Sequence, residues 1–505
     1  MGIIVRQGFK AMLANYVGML FGMVNVLVLY PSFVSAEVFG LTRVFYEASM
    51  FYYIFAQIGI NSIAFRYFPR FKDFDKGHHG FLTFTLIYPL IGFVLFTVLY
   101  FVLREPIVAI YIDKSPLVTE YFHLLPLMVV LMIFHFSLET YTRLHNRSAV
   151  TSYVREIGIR ALNVVGIFLF ALEVIDVAGF LIFLSLSYGV ATLVLTVYLK
   201  RMGWLFLGWP KKLLQWAVLK EMVIYGGFTI LGSIGSYAAV KLDIMMVPAM
   251  MGLPPVSYYF IAVTISRLLQ MPRDALRHSV IPTMSDAIEA NDQQKIDDLN
   301  KKSSINMVLI SGLLIVLISV NLDAFYALGM LLWKDAGYLT GVTSVYVLMI
   351  ARLIDNSTGM SNEMILYSKY YKYQVAFMFA MIGINYFLNL WLIPVYGLSG
   401  AAMATGLSVS FIAFLRVIAV KYMFRSQPYT WTFLWLLLLT ALVTLPVYFI
   451  PLPDQTATEA IVSMLVKTLV GSGAFLGIAY WLKLSPQANA LGEDLLRRGL
   501  RLLGR

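Results

Sequence analysis

The sequence predicts an all-α integral membrane protein of about fourteen transmembrane helices, built as two similar six-helix halves plus two extra C-terminal helices. Three observations predict it. Apolar stretches near bilayer length fill almost all of the 505 residues, and roughly 20 apolar residues cross ~30 Å of hydrocarbon. Lys and Arg fall almost entirely in alternate connections between these stretches. Hydrophobic residues make up 60% of the chain and charged residues 13%, against ~45–50% and ~25% in soluble domains.

The stretches run over 10–31, 38–66, 81–103, 119–142, 155–173, 177–199, 221–251, 255–283, 305–327, 340–366, 373–394, 398–421, 431–450 and 459–482. Each must be helical, because backbone polar groups cannot stay unpaired in lipid. The first follows Arg6 and Lys10 and covers Ala11–Tyr30. Val34-Ser35-Ala36 resembles a signal-peptidase site, but the apolar run exceeds the ~7–15 residues of a signal sequence and contains Asn15 and Asn25, so we read an uncleaved span. Trp204, Trp209 and Trp216, in the connection over 200–220, suit the aromatic belt at a membrane interface. Pro89, Pro126, Pro248 and Pro446 are compatible with bent helices. After Ser485, Leu491, Leu495 and Leu502 share one helical face, with Arg497, Arg498, Arg501 and Arg505 elsewhere, which predicts an amphipathic tail on the inner surface.

Sidedness follows from charge. One set of connections and ends, including Arg66, Arg70, Lys72, Lys76, Arg143, Arg147, Lys211, Lys212, Lys301 and Lys302, holds 26 Lys and Arg. The other side holds Arg104, Lys114 and Lys334, and nine more lie within spans, so that 26 + 3 + 9 recovers all 38. The bias places both termini in the cytoplasm and favours an even number of spans.

The two halves repeat. Span two opens after Glu37-Val38-Phe39-Gly40 and ends in Arg66-Tyr67-Phe68-Pro69 before a charged connection. Span eight opens after Pro254-Pro255-Val256 and ends in Val280-Ile281-Pro282 before the charged segment from Asp286 to Lys302, at offsets of 256 − 38 = 218 and 282 − 69 = 213. Halves of six spans keep the same sidedness and form parallel repeats about an axis normal to the membrane. The predicted parts are 1–212, 213–430, the added pair 431–483 and the cytoplasmic tail 484–505.

Several function classes are excluded. Cysteine is absent, which removes disulfides, thiol catalysis and thiolate metal sites. The net charge of +11 flanks spans, as anionic headgroups and insertion bias require, and does not indicate nucleic-acid binding. His78, His79, His123, His135, His145 and His278 form no metal-binding spacing such as H-E-x-x-H, and His78-His79 falls in a charged connection expected to be solvated. No P-loop GxxxxGK[ST] occurs, so the chain is not read as an enzyme or an ATPase.

The segment Leu392-Ile393-Pro394-Val395-Tyr396-Gly397-Leu398-Ser399-Gly400-Ala401-Ala402-Met403-Ala404-Thr405 resembles the connection between spans eleven and twelve of polysaccharide-unit flippases. Those belong to the multidrug/oligosaccharidyl-lipid/polysaccharide (MOP) exporter superfamily. Tyr258-Tyr259-Phe260-Ile261-Ala262 with Pro272 and Pro282 is similar to that family's eighth span, and Phe39-Gly40-Leu41 with Gly59 and Arg66 to its second. The resemblance covers the whole chain in span order. It implies two pseudo-symmetric six-helix lobes around a central cavity, and a saccharide on a polyprenyl diphosphate moved from the cytoplasmic to the outer leaflet. Lipid II flippases of the superfamily have fourteen spans, whereas drug-extruding relatives have twelve.

Charges within spans point to the same chemistry. Each costs ~2.5–3.5 kcal/mol at a helix centre, which directs it to a cavity or a partner. Arg267 and Arg352 each lie ~18 Å into their spans, near the midplane, while Arg43 and Lys241 lie in the outer parts of spans two and seven. Guanidinium forks grip phosphate oxygens bidentately. Arg267, Gln270, Asp274 and Arg277 recur at i, i+3, i+7 and i+10, one polar stripe, with Pro272 as a kink. Arg43 and Glu47 at i, i+4, and Arg352 and Asp355 at i, i+3, can equally pair locally. Lys241 and Asp243 are two apart and cannot share a face. Arg160, Arg277 and Arg416 lie near the cytoplasmic end and are read as snorkelling, without a site role.

The expected substrate-binding residues are therefore Arg43, Lys241, Arg267, Arg273 and Arg352, with Asp243 and Asp355 organising those cations or carrying a coupling ion. Glu363 is a further carboxylate able to carry one. The expected function is a flippase of lipid-linked O-antigen, capsule or exopolysaccharide units in a bacterial inner membrane, working by alternating access. No cofactor is expected beyond a coupling proton or Na⁺. The expected partners are a polyprenyl-diphosphate-linked glycan, the bilayer and, around a monomeric protein, polysaccharide-assembly membrane proteins, with no nucleic acid. A lipid II flippase and a multidrug or cation antiporter are the alternatives; the antiporter would favour an acidic, aromatic pocket.

Overall fold

A computed structural model describes residues 3–490 together with 493 and 494, and the predicted tail over 484–505 falls mostly outside them. Among the described residues every regular element is a helix, with no strand. Its packing divides it into two units, Met1–Ser257 and Tyr258–Arg505.

In the first unit, α1 (Ile3–Val24) continues through a π-helical stretch, Asn25–Leu29, into α2 (Tyr30–Phe33). Pro31 opens α2; it cannot donate to the ladder, and widening the preceding turn accommodates that loss. The Ser35 hydroxyl caps α3 (Ala36–Ala56) by accepting from Val38 N at 3.4 Å. Then come α4 (Ile60–Phe71), α5 (Phe81–Val102), the short α6 (Arg104–Tyr111) and α7 (Pro116–Glu120), and α8 (Leu125–Leu144). Next, α9 (Ser148–Ser152) passes through a second π-helical stretch, Tyr153–Gly158, into α10 (Ile159–Ala171). Asp176 caps α11 (Val177–Arg201), and α12 (Trp216–Met251) completes the unit. Its core joins Ile63, Tyr67 and Phe68 of α4 to Phe81 and Phe84 of α5, Leu138 and Tyr141 of α8, Leu195 of α11 and Met222 of α12. The boundary at Ser257 lies beyond the 212/213 division expected from the repeat. The difference follows from the packing of α12, which runs against α3 and α4.

Span two, expected as one continuous helix, is bent by 42° between α3 and α4. Ile58 and Gly59 take φ of 44° and 71°, and a Cβ on Gly59 would lie 2.6 Å from the Cα of Gly226 in α12. The left-handed conformation and the close helix approach both demand glycine. Gly59→Val is expected to lower the melting temperature of the purified protein, at a cost of about 1–3 kcal/mol.

The second unit takes in most of α13 (Leu253–Arg267), which a 3₁₀ turn, Leu268–Gln270, separates from α14 (Met271–Glu289). Asp292 caps the 40-residue α15 (Gln293–Leu332). The segment from Asp286 to Lys302, expected as a charged connection, is therefore mostly helix, laced by Lys301–Asp297 and Lys302–Asp298 pairs at 2.5 Å. A further 3₁₀ stretch precedes α16 (Val342–Ser357), which is followed by α17 (Ser361–Leu366) and α18 (Tyr371–Phe424). At 54 residues, α18 would be ~80 Å long, far beyond a bilayer. Gly397, with φ 58° and ψ −132°, breaks it into two runs. A Cβ at Gly400 would strike the carbonyl oxygen of Leu392, so the runs meet closely within the segment that carries the family resemblance. The added pair, α19 (Trp431–Tyr448) and the capping-boxed α20 (Ala457–Trp481), packs on α15 through Val316, Val443 and Phe475.

Each of the fourteen predicted stretches lies mostly on helix, with turns inside 38–66 and 340–366. Ten helices among the described residues are individually long and apolar enough to cross a membrane, or eleven with the bent α3–α4 pair as one span. That count takes α18 as a single helix and omits α10 and α13–α14, which carry Arg160, Arg267, Arg273 and Arg277.

Candidate functional site

The broken helices of the second unit assemble a buried ionic cluster. A 3₁₀ turn, Leu268–Gln270, interrupts the expected stripe before Pro272, and Arg267 and Asp274 on either side of it are both exposed. Arg273, outside that stripe, is 11% exposed. The turn frees the carbonyl of Leu269, which accepts from Asn356 Nδ2 at 2.6 Å, and the same amide donates to Ser311 Oγ at 2.9 Å. Between α16 and α17, Gly359 takes φ 60°, while Met360 N donates to Asn300 Oδ1 at 3.1 Å. That corner puts Asp355 and Glu363 on the same group of arginines.

Asp355, buried, accepts from Arg273 through Oδ2 and from Arg416 Nη1 through Oδ1 at 3.3 Å. Glu363, 1% exposed, lies 3.0 Å from Arg277 Nε and 3.9 Å from Arg273 Nη2, and accepts from Asn362 Nδ2 at 3.2 Å. Arg352 also acts electrostatically on Asp355. With the Gln270 amide turned so that its oxygen faces the guanidinium, that oxygen accepts from Arg352 Nη1 at 2.6 Å and Nε at 3.3 Å. Four arginines thus attend two buried carboxylates, an excess of 4 − 2 = +2. Exposed Asp274, 4.0 Å from Arg277, offsets part of it.

Of the seven expected site residues, the structure brings together Arg273, Arg352 and Asp355. Arg267 makes no hydrogen bond or ion pair among the described residues. Arg43, Lys241 and Asp243 belong to the first unit. Arg43 sits over the rings of Tyr30 and Phe39, 4.6 and 5.1 Å from their centroids. Lys241 reaches from α12 to buried Glu47 on α3, which also accepts from the Tyr237 hydroxyl. Asp243 is buried, and its Oδ1 accepts from Ile244 N at 2.9 Å.

Three arginines read as snorkelling are structural members of buried clusters: Arg277 and Arg416 as above, and Arg160 in the first unit. There Glu139 of α8 is the hub, bound by Arg143 Nη2 at 2.5 Å and Arg155 Nη1 at 2.9 Å. Glu156 bridges Arg155 Nε at 2.9 Å and Arg160 Nη2 at 2.6 Å, and Arg160 donates to the carbonyl of Gly18 in α1. The i, i+4 spacings Glu139–Arg143 and Glu156–Arg160 were the available sequence signal. His78, expected to be solvated, is 2% exposed. Its Nδ1 accepts from Asp73 N at 3.1 Å, while His145 Nδ1 lies 3.0 Å from the carbonyl of Tyr141. In the neutral pair His78 Nε2–H therefore donates to His145 Nε2 at 3.4 Å.

Two pairs of features recur at spacings near the one expected between the halves. The helix-two break at Gln57–Gly59 and the helix-eight break at Leu268–Gln270 are 268 − 57 = 211 residues apart. The two arginine-bound carboxylates, Glu139 and Asp355, are 355 − 139 = 216 apart, close to the 213–218 offset of the flanking motifs.

No protein-family model matches the sequence, and no curated protein matches it in sequence. Solved structures do match in shape. "Lipid II flippase MurJ, inward closed conformation" has a TM-score of 0.67 at 13% identity, covering 92% of this chain and 98% of that chain. An inward-facing multidrug resistance MATE family transporter of the MOP superfamily has a TM-score of 0.66 at 15% identity, covering 84% and 98%. A MOP superfamily transporter from Pyrococcus furiosus has 0.52 at 15%, covering 85% and 96%. These neighbours are transporters and flippases rather than enzymes. With nearly the whole of each neighbour matched, the chain has the fold of the MOP superfamily.

Proposed function

We propose that this protein is a flippase for a polyprenyl-diphosphate-linked oligosaccharide, an O-antigen, capsule or exopolysaccharide unit, carrying it from the inner to the outer leaflet by alternating access. In this reading about fourteen helices form two six-helix lobes and an added pair, in a bacterial inner membrane with both termini cytoplasmic. One observation carries it: the positive excess around Asp355 and Glu363. Buried cations in a membrane protein need anionic partners, and the carboxylates present leave some of that charge unmatched. An anionic diphosphate supplies that counter-charge, and bidentate guanidiniums suit its oxygens.

Charge sign also separates the alternatives. An organic-cation antiporter needs the opposite excess. The Pyrococcus furiosus neighbour is itself described by a reverse polarity of its binding pocket that suggests a different function, so pocket polarity is a useful discriminator on this fold. The lipid II alternative shares the diphosphate and differs in the glycan.

Arg352 offers the cleanest test, because Gln270, its amide partner, is neutral and Asp355 keeps Arg273 and Arg416 when it is removed. In proteoliposomes loaded with a short-chain polyprenyl-diphosphate sugar, Arg352→Ala is expected to slow translocation about 10- to 100-fold, the worth of one charge-assisted contact. Unchanged translocation in well-folded Arg352→Ala protein would remove Arg352 from the site.

A further inference from the structure

Glu139 of the first unit differs in one respect from Asp355, 216 residues further on. Asp355 meets an arginine on each oxygen. In Glu139, Oε1 takes both Arg143 and Arg155, while Oε2 faces His135 Nε2 at 3.5 Å, one helical turn away. Both residues are buried, His135 at 0% and Glu139 at 2% exposed. Among the described residues neither ring nitrogen of His135 has a hydrogen-bond partner, nor has Glu139 Oε2.

A neutral imidazole must carry one N–H, and a buried donor or acceptor left unpaired is costly. A neutral ring with its one proton on Nε2 can close a few tenths of an ångström onto Oε2, and a second proton on Nδ1 turns that contact into a charge-assisted bond. We propose that His135 and Glu139 form a proton-binding pair, occupied by one proton on the imidazole and emptied by its loss. The surrounding groups are Arg143 on α8, Arg155 and Glu156 on the π-helical stretch, Tyr46 and Tyr53 on α3, and Tyr188 on α11, whose ring lies 5.6 Å from that of His135.

The pair is placed to alter more than its own charge. Glu139 holds Arg155, Glu156 links Arg155 to Arg160, and Arg160 is bonded to Gly18 of α1. Loading the proton shifts the Glu139 carboxylate towards His135 and loosens its hold on Arg155, so protonation is conveyed to the contact between α1 and the π-helical stretch. π-Helical turns inside α-helices occur frequently at functional sites.

The test reads protonation and does not depend on the identity of any substrate. Full-length protein labelled with ¹⁵N-histidine in nanodiscs is titrated from about pH 5 to 8, the range in which imidazoles change charge. The His135 signal is assigned by its absence in His135→Gln. It is expected to pass from imidazole to imidazolium shifts in the wild type, and that transition is expected to be lost in Glu139→Gln. Glu139→Asp, which keeps the charge and lengthens the gap, is expected to retain the transition with a displaced midpoint, and serves if Glu139→Gln does not fold. A His135 signal that stays in one form across the range, or a transition unmoved by both Glu139 variants, overturns the proposal.

Discussion

Replacing Asp355 with alanine is expected to cost about 3–5 kcal/mol of stability, the penalty for leaving buried charge without its partner. Arg273 and Arg416, only 11% and 12% exposed, would both lose their carboxylate. The readout is a fall in melting temperature and recovered yield of the detergent-purified protein. A second variant separates stability from function. Replacing Asp355, Arg273 and Arg416 together with apolar residues of similar volume removes the desolvated charges as a set, which is often neutral or stabilising. The triple variant is therefore expected to recover most of the lost melting temperature while transport stays absent. If the single and triple variants are equally unstable, the cluster does more for packing than its charges explain.

The second large effect is expected at Glu139. Glu139→Ala strips Arg143, Arg155 and His135 of their shared carboxylate, yet the two arginines are about one-third exposed and can recruit water. The expected cost is smaller, about 1–3 kcal/mol. A double-mutant cycle with Arg155→Ala should give a coupling of about 0.5–3 kcal/mol, as for residues within one network. Additive effects would mean that α8 and the π-helical stretch are not joined through this pair.

Helix positions were legible in the sequence because hydrocarbon imposes both a length and an apolar composition. Neither constraint depends on tertiary contacts. The break at Gly397 was legible for a similar reason, since a stretch of that length cannot cross once. The bend at Gly59 was not: it arises from the approach of α12, a contact between residues far apart in the chain. The site was half legible. Arg273, Arg352 and Asp355 stood out as charges within spans, but the polar stripe from Arg267 to Arg277 assumed one unbroken helix, and a 3₁₀ turn at Leu268–Gln270 interrupts it. Arg277 and Arg416 were set aside by depth alone, although each finds a buried carboxylate on another helix. Glu139 escaped because its partners Arg143 and Arg155 counted only as loop charges.

The central claim is that buried arginines around Asp355 and Glu363 receive a diphosphate head. Native mass spectrometry of the purified protein, incubated with a polyprenyl-diphosphate saccharide in competition with an organic cation, tests it most directly. The expected result is a lipid adduct on the wild type that is lost in Arg352→Ala and unaffected by the cation. Retention of a bound organic cation, with no diphosphate lipid on either protein, would contradict it.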